Sequence, residues 1–423
     1  MNTLQQIFEK ETMGQFTFSV VGTKIIKKQL EKKGIFLNEN QIDKLERKLQ
    51  NISDDTLSFN FDLDDEQIKL LGNSYGETVE IDLGDSDKEL DEIYQEFIEK
   101  LKGLIPEITD EMASPILSGL KKSAPSMLKE HRKEMKSFEQ RLNNDWKKPF
   151  DMFEMFLILA FEAGDEFNNE FRKEAAENKN YVFEVLTRLH ARACQIASEI
   201  FVLLKGGFAD GAHARWRSLH EIAVVGSFIK THGNEIAERY LLHNNIESLK
   251  VANLNQKYYK ALGEKPIPQN EYESINALCE KLIVRFGKSY KYEYGWASST
   301  LNKNKPTFSD IEENSGLDHL RPYYKLASHN VHANSKGILF KLGLLPNTKN
   351  ILLAGPTNTG FTDPAQGTVI SLGLITITLI TTKPTIDNLV FSNILLKLES
   401  EIGEEFLKVQ KEIEYRNATS QSA

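Results

Sequence analysis

The chain has 423 residues, with 40% hydrophobic and 27% charged positions, 12 prolines and a formal net charge of -9. At roughly 150 residues per domain it is long enough for two or three domains. Its acidity excludes the whole-surface positive field that draws nucleic acid non-specifically, so any nucleic-acid contact must use a local basic patch. Two cysteines, Cys194 and Cys279, exclude a disulfide scaffold and supply too few sulfurs for a zinc ribbon. The opening MNTLQQIFEKETMG has no apolar signal core, and a reducing cytoplasmic location is expected.

Along the first hundred residues, 20–33 and 40–51 have helical spacing. LSFNFDL (57–63) and TVEIDL (78–83) alternate apolar and polar residues, which predicts half-buried strands. SDKE at 86–89 fits a capping box and predicts a helix to about 102. Residues 1–105 are therefore expected to form a small α+β module.

From 106 to 415 a large helical bundle domain is expected, so the fold class is mainly α. Residues 125–146 form a charged helix, and FDMFEMFLILAFEA (150–163) is apolar nearly all round and expected to be buried. Tyr181 to Gly207 is a long helix closed by Gly206 and Gly207. Asp210 is expected to cap the next helix, which stops at Gly233. Two long helices joined by a short glycine turn predict an antiparallel pair.

Residues 261–275 and 298–310 read as loops. ILFKLGLL and NILLAGP, near 338–355, suit a β-hairpin or short extended pieces. Residues 364–382 carry no charge and approach the length of a membrane span. Gln366, Ser371 and several threonines dilute that apolarity, and Asp363 with Pro364 resembles an N-cap and first helical position. A buried helix, not a membrane span, is the expectation. An amphipathic helix should follow from about 387 to 415, and 416–423 should be a disordered tail.

The candidate chemistry lies on two stretches, RWRSLHE (215–221) and YYKLASHNVHAN (323–334). At 100° per residue, His213, Arg217, His220, Glu221 and Val224 share one helical face, and Arg217 and Glu221 can pair as i, i+4 neighbours. Arg215 falls on a different face from His220. The preceding helix carries Glu184, Arg188, Arg192, Gln195 and Glu199 in a stripe. Facing stripes would make either an ion-pair network or an arginine-rich cleft fit for phosphate. Downstream, Tyr324, Ser328, His332 and Ser335 share a helical face. An imidazole is the side chain suited to proton exchange near neutrality, and beside an arginine it would suit work on a phosphodiester.

These stretches carry a resemblance. Residues 130–340 resemble bacterial proteins of the family called domain of unknown function 5677. The likeness rests on KGGFADGAHA, on RSLHE with Arg217 and Glu221, on ERYL (238–241), and on YYKLASHNVHA with Ser328 and His332. The family name implies no activity. A looser likeness is to HEPN ribonucleases, helical bundles whose motif is an arginine, four to six residues, then a histidine. Arg215 with His220 has that spacing, although Trp216 stands where those enzymes usually have a polar residue. The likeness implies a dimer acting on RNA in toxin or phage-defence systems.

The expectation is thus an HEPN-like, metal-independent ribonuclease effector. Arg217 would bind phosphate, His332 would act as acid or base, and Glu221 and Ser328 would orient them, with Arg215 and His220 as the competing pair. The alternative is a non-catalytic interaction or sensor protein in which these groups are structural staples. RNA is the candidate partner, with a second copy or a protein encoded nearby as further candidates. No cofactor or metal is expected: Walker, HExxH and CxxC patterns are absent, and GPTNTG (355–360) reads as a turn.

Overall fold

In a computed structural model, residues 16–51, 87–345 and 351–420 are described, with 58, 60, 67–69 and 81 between them. The chain divides into two compact units, 1–129 and 130–423. Among the described residues there is no strand. The described residues show a mainly α fold and give no support to the expected α+β module, whose strands at 57–63 and 78–83 lie almost wholly outside them.

In the first unit, α1 (Phe18–Lys32) and α2 (Glu39–Leu49) pack together. Asn38 begins α2 through a capping box: its side chain accepts from Gln41 N at 3.0 Å, and Gln41 returns the bond to Asn38 N at 2.8 Å. Leu30, Leu37, Leu45 and Leu49 fill the space between. A second small cluster joins Val21 and Ile25 to Ile93 on α3 (Asp87–Asp145). The helices expected at 86–102 and 125–146 are one helix, carrying Pro106, Pro115 and Pro125 in its interior.

The second unit is built on α4 (Lys147–Glu177), α5 (Tyr181–Lys205) and α6 (Ala209–His232). Gly207 makes the turn between the last two with φ +83. A Cβ there would also meet Thr357 O at 2.6 Å, so both the turn and the neighbouring chain require glycine. Asp210 does not cap α6. It lies in the first turn, and its Oδ1 instead accepts Leu342 N at 3.0 Å. Then come α7 (Asn234–Tyr258), α8 (Gln269–Phe286), α9 (Ser298–Leu301), α10 (Phe308–Asn314), α11 (Arg321–His329) and α12 (Ser335–Leu339). The hairpin considered near 338–355 does not form among the described residues: 335–339 is a helical turn and 351–361 pairs with no strand.

The uncharged segment is α13 (Thr362–Ile380), packed against α4, α5, α6 and α14 (Ile386–Ser420). It is long and apolar enough to cross a membrane, yet 67% of its most apolar window is buried inside the protein. Its hydroxyls are used within the core. Ser371 accepts Trp216 Nε1 at 3.0 Å, and Thr376 donates to Leu372 O at 2.8 Å while meeting His190 Nε2 at 3.0 Å. Asp363, expected as its cap, lies in the first turn and makes no cap bond. α14 runs on to Ser420, so 416–420 of the expected tail are helical, and Arg416 bonds Asp145 at 3.0 Å. An aromatic cluster of Trp146, Phe150, Phe153, Phe201, Phe361 and Phe406 closes one end of this core.

Candidate functional site

The polar face expected on α6 is divided by the boundary of the core. His213 and His220 are each 1% exposed, whereas Arg217 and Glu221 retain 25% and 35% of their side-chain exposure. A helix face is about half a cylinder wide. Positions 213 and 220 fall on its inner edge and 217 and 221 on its outer edge, so one stripe supplies both staples and surface groups.

The inner residues are sealed in the core. His220 Nε2 meets Glu312 Oε1 at 2.7 Å, with Glu312 fully buried and also ion-paired to Arg321. Burial lowers the His220 pKa, and the Glu312 bond and charge offset only part of this, so the ring is neutral near pH 7 and its Nε2–H donates. His213 lies against Trp216 with ring centres 5.5 Å apart, and burial lowers its pKa to about 4. Arg215 turns the other way and pairs with Glu199 on α5. Arg215 and His220 therefore do not meet.

The outer residues converge with the second stretch. The single helix expected from Tyr324 to Gly337 breaks after His329, because Asn334 starts α12 as its N-cap, accepting Gly337 N at 3.0 Å. The turn is tight enough that a Cβ on Gly337 would lie 2.2 Å from His329 O. His332 is carried on this turn, and its Nε2 lies 3.4 Å from Arg217 Nη1. Arg217 Nε bonds Glu221 Oε1 at 3.2 Å, and Tyr324 Oη donates to the same carboxylate oxygen at 2.6 Å. The guanidinium lies 4.8 Å from the centre of the Tyr324 ring. Burial alone would lower the Arg217 pKa, but Tyr324 and Glu221 more than offset it and the net shift is upward. Burial and the Glu221 charge raise the Tyr324 pKa, so this phenol is a hydrogen-bond donor and not a ready acid.

Ser328 is adjacent but differently engaged. Its hydroxyl donates to Tyr324 O at 2.7 Å, and its carbonyl accepts His332 N at 3.2 Å. It thus shapes the turn that presents His332. The expected arginine-rich cleft on α5 resolves into ion pairs: Arg188 bonds Glu184 at 2.5 Å, and Glu199 holds Arg215. Arg192 instead borders a cleft of about 600 Å³ that also includes Ser218, Glu221, Tyr240, Glu293 and Tyr294. Glu221 is therefore shared between the cleft and the Arg217–His332 pair.

Sequence reading missed Tyr324 as a working member of the cluster, and Glu312 and Arg321 altogether. Tyr324 sits four residues before Ser328 on the same face, a spacing that could have included it. Nothing local marks Glu312, because its partner is 92 residues away in sequence. Among the described residues no three acidic, histidine or cysteine groups converge as a metal ion would require.

No curated protein and no solved structure matches the chain. Residues 183–349, which hold RSLHE, the His332 turn and most of the cleft, match the model of a family of unknown function (DUF5677), and the resemblance read from those stretches is shown over this segment.

Proposed function

We propose that Arg217, Glu221, Tyr324 and His332 form the reactive centre of an HEPN-like, metal-independent endoribonuclease, of the kind that serves as a toxin or phage-defence effector. The observation that carries this reading is the 3.4 Å approach of Arg217 Nη1 to His332 Nε2 at the surface, across 115 residues of sequence. An exposed guanidinium–imidazole hydrogen bond returns only about 1 kcal/mol of stability, so packing alone gives little reason to build such an arrangement.

Each group has a role in cleaving an RNA phosphodiester. His332 takes the proton from the ribose 2′-hydroxyl as that oxygen attacks phosphorus. Arg217 holds the non-bridging oxygens and stabilises the charge that grows on them. Glu221 fixes the guanidinium plane, and Tyr324 fixes Glu221. The products are a 2′,3′-cyclic phosphate and a free 5′-hydroxyl, with a proton delivered to the departing 5′-oxygen from solvent or from the protonated imidazole. The net charge of -9 confines RNA contact to this local patch.

A second reading is a non-catalytic interaction or sensor protein. It is favoured by the pairing of Arg217 with Glu221 and its stacking on Tyr324, which already occupy much of the guanidinium. The test is expression of the wild type and of Arg217→Ala with His332→Ala in a bacterial host, following growth and total RNA integrity, with folding checked by circular dichroism. Growth arrest and RNA cleavage that vanish in a folded double variant support the ribonuclease. A folded wild type that leaves RNA intact in cells and as a purified protein refutes it and favours the second reading.

A further inference from the structure

The cleft beside the cluster has a composition of its own. Its volume of about 600 Å³ is in the range of small-molecule sites. Two aromatic pairs form part of its wall: Tyr240 stands edge-on to Trp296 at 5.0 Å, and Tyr294 tilts on Phe308 at 6.4 Å. Three carboxylates border it, Glu221, Glu247 and Glu293, against one arginine, Arg192.

Several of these groups are unspent. Among the described residues the hydroxyls of Tyr240 and Tyr294 make no hydrogen bond, and neither Glu293 nor Arg192 makes a salt bridge. Tyr240 is half-buried, so its ring is held by the core while its hydroxyl is left for a ligand to bond. Glu221 lines the cleft and also bonds Arg217 at 3.2 Å, which places this end of the cleft beside the reactive cluster.

The chemistry of the wall selects its ligand. A compact cation gains most where carboxylates converge, and here no such convergence exists among the described residues. The acceptors are instead spread along aromatic surfaces, with arginine as a lone strong donor. A flat heterocycle with N–H groups on its edge and one carbonyl or ring-nitrogen acceptor matches that pattern. Adenine, cytosine and guanine each present an amino group to a carboxylate. Uracil presents two carbonyl oxygens around a single N–H, which the carboxylates repel.

We propose that this cleft binds the amino-bearing nucleobase of a nucleotide whose phosphate lies on Arg217; the choice of a nucleotide rests on the phosphodiester reading of the neighbouring cluster. The base inserts between the aromatic walls, its amino edge donates to Glu293 or Glu247, and Tyr240 completes the edge. The site therefore reads one base at the cleavage point and is indifferent to the rest of the strand.

The test is equilibrium titration of the full chain with the four nucleosides and, separately, with their 5′-monophosphates, followed by calorimetry. At least one of adenosine, cytidine and guanosine should bind about ten-fold or more tighter than uridine, as expected when an analogue leaves buried polar groups unpaired. Glu293→Gln, which breaks no salt bridge among the described residues, and Tyr240→Phe should each shrink that ratio. The added affinity of a monophosphate over its nucleoside should fall in Arg217→Ala. Equal binding of all four nucleosides, no binding of any, or a ratio untouched by both cleft variants overturns the base site. Nucleoside selection in a protein that leaves RNA intact supports the base site while refuting the ribonuclease. RNA cleavage by a protein without nucleoside selection does the reverse.

Discussion

Replacing His220 and His332 separately by alanine distinguishes a staple of the core from a member of the surface cluster. The His220 and Glu312 side chains are 1% and 0% exposed and meet at 2.7 Å. His220→Ala leaves a buried carboxylate without one of its two partners, and losing a hydrogen bond to a buried charged group costs about 3 kcal/mol. The ring also packs near Trp216 at 5.4 Å and Tyr324 at 5.8 Å, so a cavity adds to the loss. His332→Ala removes one exposed contact of 3.4 Å, worth about 0–1 kcal/mol. The difference of about 3 kcal/mol is roughly two powers of ten in the folding equilibrium. Urea unfolding followed by far-ultraviolet circular dichroism reads it directly as separated midpoints. Equal midpoints for the two variants, or a greater loss in His332→Ala, would refute the assignment of His220 to the core and His332 to the surface.

Acid should destabilise the protein early. Burial lowers His190 and His213 to about 4 from 6.5, so the unfolded chain binds protons that the native state refuses. The stability they contribute is present above about pH 6.5 and is lost as the pH falls towards 4, by about 3 kcal/mol for each ring at the lower limit. Thermal melts from pH 7 to pH 4 check this, and a His213→Phe variant should show a shallower slope. Thr376→Val should cost about 1–2 kcal/mol by leaving His190 Nε2 without its acceptor, measured by urea midpoint. Gly226→Ala places a Cβ 2.3 Å from Ile375 Cδ1 where α6 crosses α13, and should cost about 1–3 kcal/mol in the same assay.

How much of this was legible depended on the range of each interaction. The α5–α6 pair announced itself because Gly206 and Gly207 interrupt two long periodic runs. The burial of α13 could be read because its hydroxyl residues and uncharged length fit a core helix better than a span. The meeting of Arg217 with His332 was expected, but not its route. Helical spacing would have carried His332 on the face of Tyr324, whereas Asn334 caps a new helix and a turn delivers the imidazole. Arg215 and His220 have the spacing of a motif, yet side chains 140° apart around a helix cannot share a site once one side is sealed. The cleft was invisible, because its walls come from α5, α6, α7 and the segment 293–308, each contributing two to five residues with no local signature.

The position of α13 has a consequence for how the protein is made and handled. The family likeness ends at residue 349, before the helix that covers α4, α5 and α6 has begun. During synthesis the surface of those three helices that α13 covers has no partner until residues 362–380 emerge. A fragment cut to the limits of the likeness keeps Arg217, Glu221, Tyr324 and His332 and lacks both α4 and the α13 that packs over the core. Such a fragment should aggregate, while one that begins at 130 and runs through α14 should remain soluble. The stretch that matches the family model thus holds the whole surface cluster, and the helix that covers its core is written outside it.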